Sequence, residues 1–342
     1  MAAPTDSQAW RSARLHVVTG KGGTGKSTVA AALALALADA GRRVLLAEVE
    51  QRQALAPILG CAPLDDRERL VRAGAAGGEL HAVAVDAHGS LREYLTTHYR
   101  LGAAGAVLDQ VGAVELATSI APGLGDVLLM GKVYDVTRRT PAHQRPRGAP
   151  DRYDAVVLDA PPTGRVVRFL DASEQVADLA RVGPIRQQAD AVSALVHSAQ
   201  TTVHLVTLLE EMPVTETVEA VAELRREGLG PGLLVVDQVR DDGMTEGDLA
   251  GFDAAVAGKV TEAEVAAELA AAGLPDAALL AGGLVERARA HAARLQVEGE
   301  QQEVLDGLGL PTVLLPQLVA GVTPQTLPEL AALLADQVGG LV

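Results

Sequence analysis

The chain has 342 residues, of which 48% are hydrophobic and only 2% aromatic, and its formal net charge is −15. Such a negative balance opposes broad binding to phosphate backbones or anionic lipid, so we expect no nucleic-acid partner. The single cysteine, Cys61, excludes a disulfide framework or a Cys-x-x-Cys metal clamp within one subunit. We expect it to be a buried or half-buried apolar residue.

Seven short runs rich in Val, Leu and Ile alternate with helical patterns along the chain. These runs cover residues 15–19, 44–49, 80–86, 155–159, 203–207, 233–236 and 312–315. Most of them are nearly continuous, which is typical of strands covered on both faces of a parallel sheet. The repeated order of strand, loop, helix and strand predicts an α/β fold with a doubly wound, mostly parallel sheet.

Two stretches have no strand pattern and predict helical insertions. They cover residues 88–140 and 171–200, and we expect them to form a helical subdomain within one domain of residues 1–342. The first 14 residues lack the apolar segment of a secretory signal. The longest apolar run, residues 29–38, has about half the length needed to span a bilayer. The sequence therefore predicts a cytoplasmic protein with no stable membrane insertion.

The first predicted strand leads into GKGGTGKST, residues 20–28, which fits Gly-x4-Gly-Lys-[Ser/Thr] before a helical pattern. Its glycines let backbone N–H groups surround phosphate oxygens, and the positive helix N-terminus adds to the attraction. We predict a nucleotide-binding loop formed by Gly20, Gly22, Gly23, Thr24, Gly25, Lys26, Ser27 and Thr28. Lys26 is expected to reach the β- and γ-phosphates, and the Ser27 hydroxyl to bind Mg²⁺.

A second lysine, Lys21, stands at the start of this loop. The pattern Gly-Lys-Gly-Gly-x-Gly-Lys-[Ser/Thr] resembles the deviant Walker A group of P-loop ATPases, which includes the ArsA/GET-pathway ATPases. The resemblance implies a dimer that encloses nucleotide, in which Lys21 touches the phosphates held by the partner subunit. A cation supplied in this way stabilises charge on the γ-phosphoryl oxygens in the transition state. A loop lysine that points to solvent is the alternative.

Residues 159–171, DAPPTGRVVRFLD, look like the Asp-Thr-Ala-Pro-Thr-Gly signature of the ArsA/GET-pathway ATPases. An acidic residue at the carboxyl end of a buried strand beside a phosphate loop is placed to hold Mg²⁺ through water. We therefore predict that Asp159 and Ser27 serve the metal. By the same resemblance, Thr163 belongs to a turn that responds to the γ-phosphate.

The resemblance implies roles for three more residues. Glu50 stands where the family has an Asp that orients the attacking water, and its longer side chain leaves a slow or partner-dependent ATPase open. Asp237 stands where the family has an Asn that reads adenine. A carboxylate accepts hydrogen bonds but donates none, so the choice between adenine and guanine is also open. Pro316 belongs to a segment, residues 315–321, that closes over the base.

Some features of the family are missing from this sequence. It has neither the metalloid-binding cysteines of the ArsA pumps nor the zinc-binding Cys-x-x-Cys of many tail-anchor targeting dimers. It most resembles the single-P-loop, ArsA-like ATPases of actinobacteria, which are often encoded as pairs of paralogues. The resemblance implies an ATP- and Mg²⁺-dependent switch, as a homodimer or as a heterodimer with a paralogous ATPase. Its helical subdomain would engage a protein client or a membrane-protein partner; the alternative is a nucleotide-bound regulatory subunit with little turnover.

Overall fold

The computed structural model describes residues 9–49, 53–86, 124–138, 152–172, 184–240, 257 and 259–340. Within these ranges a single eight-stranded sheet lies between two layers of helices. The strands are β1 (Leu15–Gly20), β2 (Arg43–Glu48), β3 (Arg69–Ala73), β4 (Glu79–Ala84), β5 (Ala155–Asp159), β6 (Thr201–Thr207), β7 (Pro231–Val239) and β8 (Thr312–Pro316). The helices are α1 (Lys26–Asp39), α2 (Leu55–Leu59), α3 (Leu124–Arg138), α4 (Thr163–Leu170), α5 (Pro184–Val196), α6 (Glu211–Arg226), α7 (Glu262–Ala271), α8 (Ala277–Asp306) and α9 (Leu327–Gln337).

The strands follow the order β3-β4-β2-β5-β1-β6-β7-β8 across the sheet. Every neighbouring pair is parallel except β3 and β4. The predicted α/β, doubly wound, mostly parallel sheet of a P-loop protein is therefore confirmed. All seven predicted strands are present, and of the strands that the described ranges contain, the sequence missed β3. That strand lies at the edge of the sheet and is half exposed, so it has no continuous apolar run.

The two faces of the sheet carry different helices. On one face, the core contains α1, α2 and α9. Eleven of the fourteen residues of α1 are buried, which explains why its Ala/Leu sequence is apolar all round. The other face is covered by α3, α4, α5 and α6. Because successive side chains of a strand point to opposite faces of the sheet, odd-numbered and even-numbered residues of one strand contact different helical layers.

Parts of both predicted insertions are described. Helix α3 lies within residues 88–140 and α5 within residues 171–200, and the two helices pack against each other. The remainder of these two ranges lies outside the described residues. Cys61 is half-buried, as predicted. None of the helices in the described ranges has the length and apolar content that crossing a bilayer requires.

Candidate functional site

The predicted phosphate loop connects β1 to α1 and lies tightly against the two strands beyond β1. A side chain at Gly20 would overlap the Val206 carbonyl oxygen at the end of β6. Gly25 has φ of 86°, and a side chain there would overlap the Asp237 carboxylate of β7. Both positions therefore require glycine, one for close packing and the other also for its left-handed backbone. The first turn of α1 begins at once, since the Val29 N–H donates to the Gly25 carbonyl at 2.9 Å.

Lys26, the first residue of α1, is only 8% exposed. No salt bridge joins its ammonium to any residue in the described part of the chain. A buried cation costs free energy unless an anion compensates it. Because the N-terminus of a helix also attracts negative charge, this position favours an anionic ligand such as a phosphate.

Ser27 and Asp159, the two residues predicted to serve the metal, meet beside Lys26. The Ser27 hydroxyl donates to Asp159 Oδ2 at 2.6 Å, and Asp159 is buried at the end of β5, next to β1 in the sheet. The Thr19 hydroxyl donates to the Pro161 carbonyl at 2.7 Å and ties the chain after β5 to β1. A hydroxyl and a carboxylate at a phosphate loop are oxygen donors that suit Mg²⁺.

The described part of the chain does not supply a complete set of metal ligands here. Among the described residues, no group of three or more His, Cys, Asp or Glu side chains is placed to hold a metal. Mg²⁺ normally keeps several waters and takes phosphate oxygens as further ligands. The Ser27 and Asp159 pair therefore fits a metal that arrives with a nucleotide.

Lys21 does not point freely into solvent, which was the alternative reading of the sequence. Its Nζ lies 2.8 Å from Glu216 Oε1 on α6. The other carboxylate oxygen, Glu216 Oε2, accepts a hydrogen bond from the Thr163 hydroxyl at 3.2 Å. Thr163 is the first residue of α4 and is buried. One carboxylate thus joins the first loop lysine to the predicted γ-phosphate turn.

The two residues predicted to contact the base lie at the same edge of the sheet. Asp237 is near the end of β7, and Pro316 ends β8. The two strand ends stay together because the Gln317 N–H donates to the Val239 carbonyl at 2.8 Å. Burial raises the pKa of Asp237 to about 6, against a smaller lowering by a backbone hydrogen bond at Gln238. This carboxyl group therefore changes its charge close to neutral pH.

Glu50 lies outside the described residues, and the structure adds two acidic residues that sequence reasoning did not select. Glu48, the last residue of β2, is 2% exposed. A carboxylate inside an apolar strand is rare, and that rarity was a signal in the sequence. Glu216 gave no such signal, because it is one of several acidic residues on an amphipathic helix and reaches Lys21 only through the packing of α6.

A doubly wound sheet, a glycine loop between β1 and α1 and an acidic residue at the end of β5 define a P-loop nucleotide-binding protein. Residues 13–192 match the sequence model of the ArsA-type ATPase family, described as anion-transporting ATPases. The chain belongs to this family. Its membership implies nucleotide binding.

Named relatives agree with this assignment. The chain is 46% identical to the ATPase BagA of Mycobacterium tuberculosis over 326 residues, which cover 95% of this chain and 93% of the relative. It is 30% identical to the ATPase GET3 of Chaetomium globosum over 163 residues, or 47% of this chain and 43% of the relative. A Prosthecochloris vibrioformis protein that carries the name of an arsenical pump-driving ATPase is 24% identical over 281 residues, or 67% and 62% of the two chains.

Proposed function

We propose that this protein binds ATP with Mg²⁺ and hydrolyses it as a molecular switch of the ArsA/GET type. The observation that carries the proposal is the placement of a buried Lys26, which forms no ion pair with any described residue, at the start of α1, beside the 2.6 Å hydrogen bond from Ser27 to Asp159. The first group suits the β- and γ-phosphates and the second suits the metal. Relatives that carry the name ATPase support the same function.

Each residue has a defined task in this proposal. Lys26 neutralises charge on the phosphate oxygens, while the loop N–H groups hold the β-phosphate. Ser27 and Asp159 would hold Mg²⁺, which when bound offsets charge on the β- and γ-oxygens. Glu50 would orient the attacking water, for which its position matters more than its basicity. Asp237 and Pro316 would contact the base.

We also propose a dimer, either of two identical chains or with a paralogous ATPase, in which Lys21 reaches the partner's nucleotide. Its ion pair with Glu216 supports this idea, since the pair is partly exposed and is linked to Thr163. A conformational change at the γ-phosphate turn would then alter the position of Lys21 through Glu216. The helical subdomain of residues 88–140 and 171–200, set within a single domain, would carry that change to a protein client or a membrane-protein partner.

A second candidate function is a regulatory subunit that binds nucleotide with little turnover. Glu50 in place of the family's Asp favours this candidate, because its longer side chain would shift the carboxylate that orients the attacking water. In a heterodimer, the paralogous ATPase would then perform most of the hydrolysis.

ATP hydrolysis by the purified chain, alone and with its paralogue, separates the two candidates. We expect Lys26→Ala to lower the rate of hydrolysis by about 100-fold or more, since it removes the main positive charge that stabilises the transferred phosphoryl group. Lys259→Ala, at an exposed lysine before α7, is the control and should leave the rate unchanged. Glu50→Asp should keep or raise the rate. If ATP binds but no Lys26-dependent turnover occurs in either mixture, hydrolysis by this chain is excluded.

A further inference from the structure

Glu48 is a buried carboxylate whose two oxygens differ in their hydrogen bonding. Its Oε1 accepts a hydrogen bond from the Ala54 N–H at 3.0 Å, across the segment that contains Glu50. Its Oε2 is buried and has no hydrogen-bond partner among the residues that the structure describes. An ionised carboxylate oxygen in that condition costs free energy unless a cation or a donor reaches it. We therefore expect a ligand to contact Glu48 Oε2.

The register of the sheet places Glu48 beside Asp159. The two residues are direct partners on the parallel strands β2 and β5, and such strands lie about 4.8 Å apart. Side chains that are paired in this way project from the same face of a sheet. Val44 and Leu46, which share the parity of Glu48 on β2, pack in the cluster that contains α1. Glu48 and Asp159 therefore both face α1.

Ser27 lies at the N-terminus of the same helix and already donates to Asp159. The carboxylates of Glu48 and Asp159 and the hydroxyl of Ser27 thus converge on one end of α1. Two neighbouring buried carboxylates repel each other, and a divalent cation between them removes that repulsion. Lys26 does not take this role, because no salt bridge connects it to either carboxylate.

We propose that Glu48 is the third protein residue of the Mg²⁺ site and that its Oε2 accepts a hydrogen bond from a water bound to the ion. This inference rests on the proposed nucleotide and Mg²⁺ binding and extends it to a residue of β2. Mg²⁺ retains several of its waters in proteins, and residues that hold those waters strongly affect metal affinity. The same carboxylate also accepts the Ala54 N–H, and in this proposal Glu48 is a positioning residue for the metal.

Glu48→Gln separates the charge of this residue from its anchoring role. The Gln side chain keeps a carbonyl oxygen for the Ala54 N–H but loses the negative charge. Binding of an ATP analogue with a fluorescent ribose is measured in the full-length protein, first in EDTA and then with increasing Mg²⁺. In Glu48→Gln, we expect the Mg²⁺ concentration that gives half of the maximal increase in analogue binding to rise about tenfold or more. Affinity in EDTA and the melting temperature should stay at the wild-type values.

Glu79→Gln is the matched control, since it makes the same change on the neighbouring strand β4, where Glu79 forms a surface ion pair with Arg43. Its Mg²⁺ dependence should equal that of the wild type. An unchanged Mg²⁺ dependence in Glu48→Gln overturns the inference, whereas the proposed function stands as long as the wild type responds to Mg²⁺. A wild type that binds the analogue without any Mg²⁺ response contradicts the proposed function itself.

A purely structural role for Glu48 gives a different result. In that case Glu48→Gln loses affinity equally in EDTA and in Mg²⁺ and melts at a lower temperature, which overturns the inference. If Glu48→Gln does not fold, Glu48→Asp decides, because it keeps the charge at a shorter reach. A selective loss of Mg²⁺ response in Glu48→Asp supports the inference, and an equal loss with and without Mg²⁺ overturns it.

Discussion

Lys21 and Glu216 form an ion pair with 2.8 Å between Nζ and Oε1, which joins the phosphate loop to α6. Glu216 also accepts the Thr163 hydrogen bond, so the three side chains form one connected group. The side chains of Lys21 and Glu216 are 29% and 32% exposed. A partly exposed pair contributes at most about 1 kcal/mol, so a phosphate bound in the partner subunit of the proposed dimer would compete with it easily.

We predict that Glu216→Gln strengthens ATP-dependent association by freeing Lys21. Removing at most about 1 kcal/mol of competing interaction corresponds to an increase of up to about fivefold in dimer affinity. The measurement is sedimentation of the chain over a range of concentrations with Mg²⁺ and a non-hydrolysable ATP analogue, alone and with the paralogous ATPase of the proposed heterodimer. An unchanged association constant in both mixtures would show that Glu216 does not restrain Lys21.

The matched control for this experiment is Glu219→Gln. Glu219 lies on the same helix, α6, and is exposed. The variant has the same change in charge as Glu216→Gln, so a general electrostatic effect on association appears in both variants. A specific release of Lys21 appears only in Glu216→Gln.

Nucleotide binding is predicted to depend on pH through Asp237. Burial raises the pKa of this carboxyl to about 6, so it is mostly protonated at pH 5 and mostly ionised at pH 7.5. A protonated carboxyl both donates and accepts hydrogen bonds, as an amide does, whereas the ionised form only accepts. Adenine nucleotides should therefore bind about tenfold more tightly at pH 5 than at pH 7.5, which corresponds to about one hydrogen bond.

Asp237→Asn fixes the donor-and-acceptor form at every pH. We expect this variant to bind ATP at pH 7.5 as tightly as the wild type does at pH 5, with a flatter pH profile. Because the ionisation of ATP itself also changes in this range, the comparison between the two proteins is the informative one. Identical pH profiles in calorimetric titrations would exclude Asp237 from base recognition.

Acid should destabilise the protein through a buried histidine pair. His16 Nδ1 lies 3.1 Å from His204 Nε2, and burial lowers the pKa of His16 to about 4. His204 Nδ1 accepts the Leu233 N–H, and its pKa is also lowered by burial. A base with a lowered folded-state pKa stabilises the protein above its unfolded pKa, and that stability is lost as the pH falls.

For His16, stability is lost as the pH falls from about 6.5 to about 4. The free energy of unfolding decreases by roughly 3 kcal/mol over this range, at 1.36 kcal/mol per pKa unit. Urea unfolding at several pH values measures it. His16→Asn removes the titrating group and should flatten the decline, while His197→Asn, at an exposed histidine, should follow the wild type. An equally steep decline in His16→Asn would contradict the assignment.

Two loop glycines are predicted to differ in their tolerance of alanine. Gly20→Ala places a methyl group against the Val206 backbone, which has no freedom to move away, and should lower the free energy of unfolding by about 1–3 kcal/mol. Gly22→Ala has no atom within 4 Å of the new methyl group and should match the wild type in stability. Thermal unfolding without nucleotide compares the two; equal melting temperatures would refute the contact between the loop and β6.

The sequence determined much of this protein because its main signals are local. Continuous apolar runs indicated seven strands, and the spacing from Gly20 to Ser27 placed the phosphate loop between β1 and α1. The position of Asp159 beside the phosphate loop could be predicted because the carboxyl ends of neighbouring parallel strands meet at one edge of the sheet, and its role at a metal stays a prediction. Each of these inferences uses residues that are close in sequence or a general rule of sheet topology.

Only the tertiary structure decided which distant side chains meet. β2 and β5 are joined in sequence by more than a hundred residues, so no local pattern shows that Glu48 is the register partner of Asp159. Glu216 reaches Lys21 because α6 packs against α4 and against β6, the neighbour of β1 in the sheet, and β3 forms by pairing with the edge of β4. Periodicity reports which face of an element is apolar, but pairing between elements depends on how their faces pack, which is a property of the whole chain.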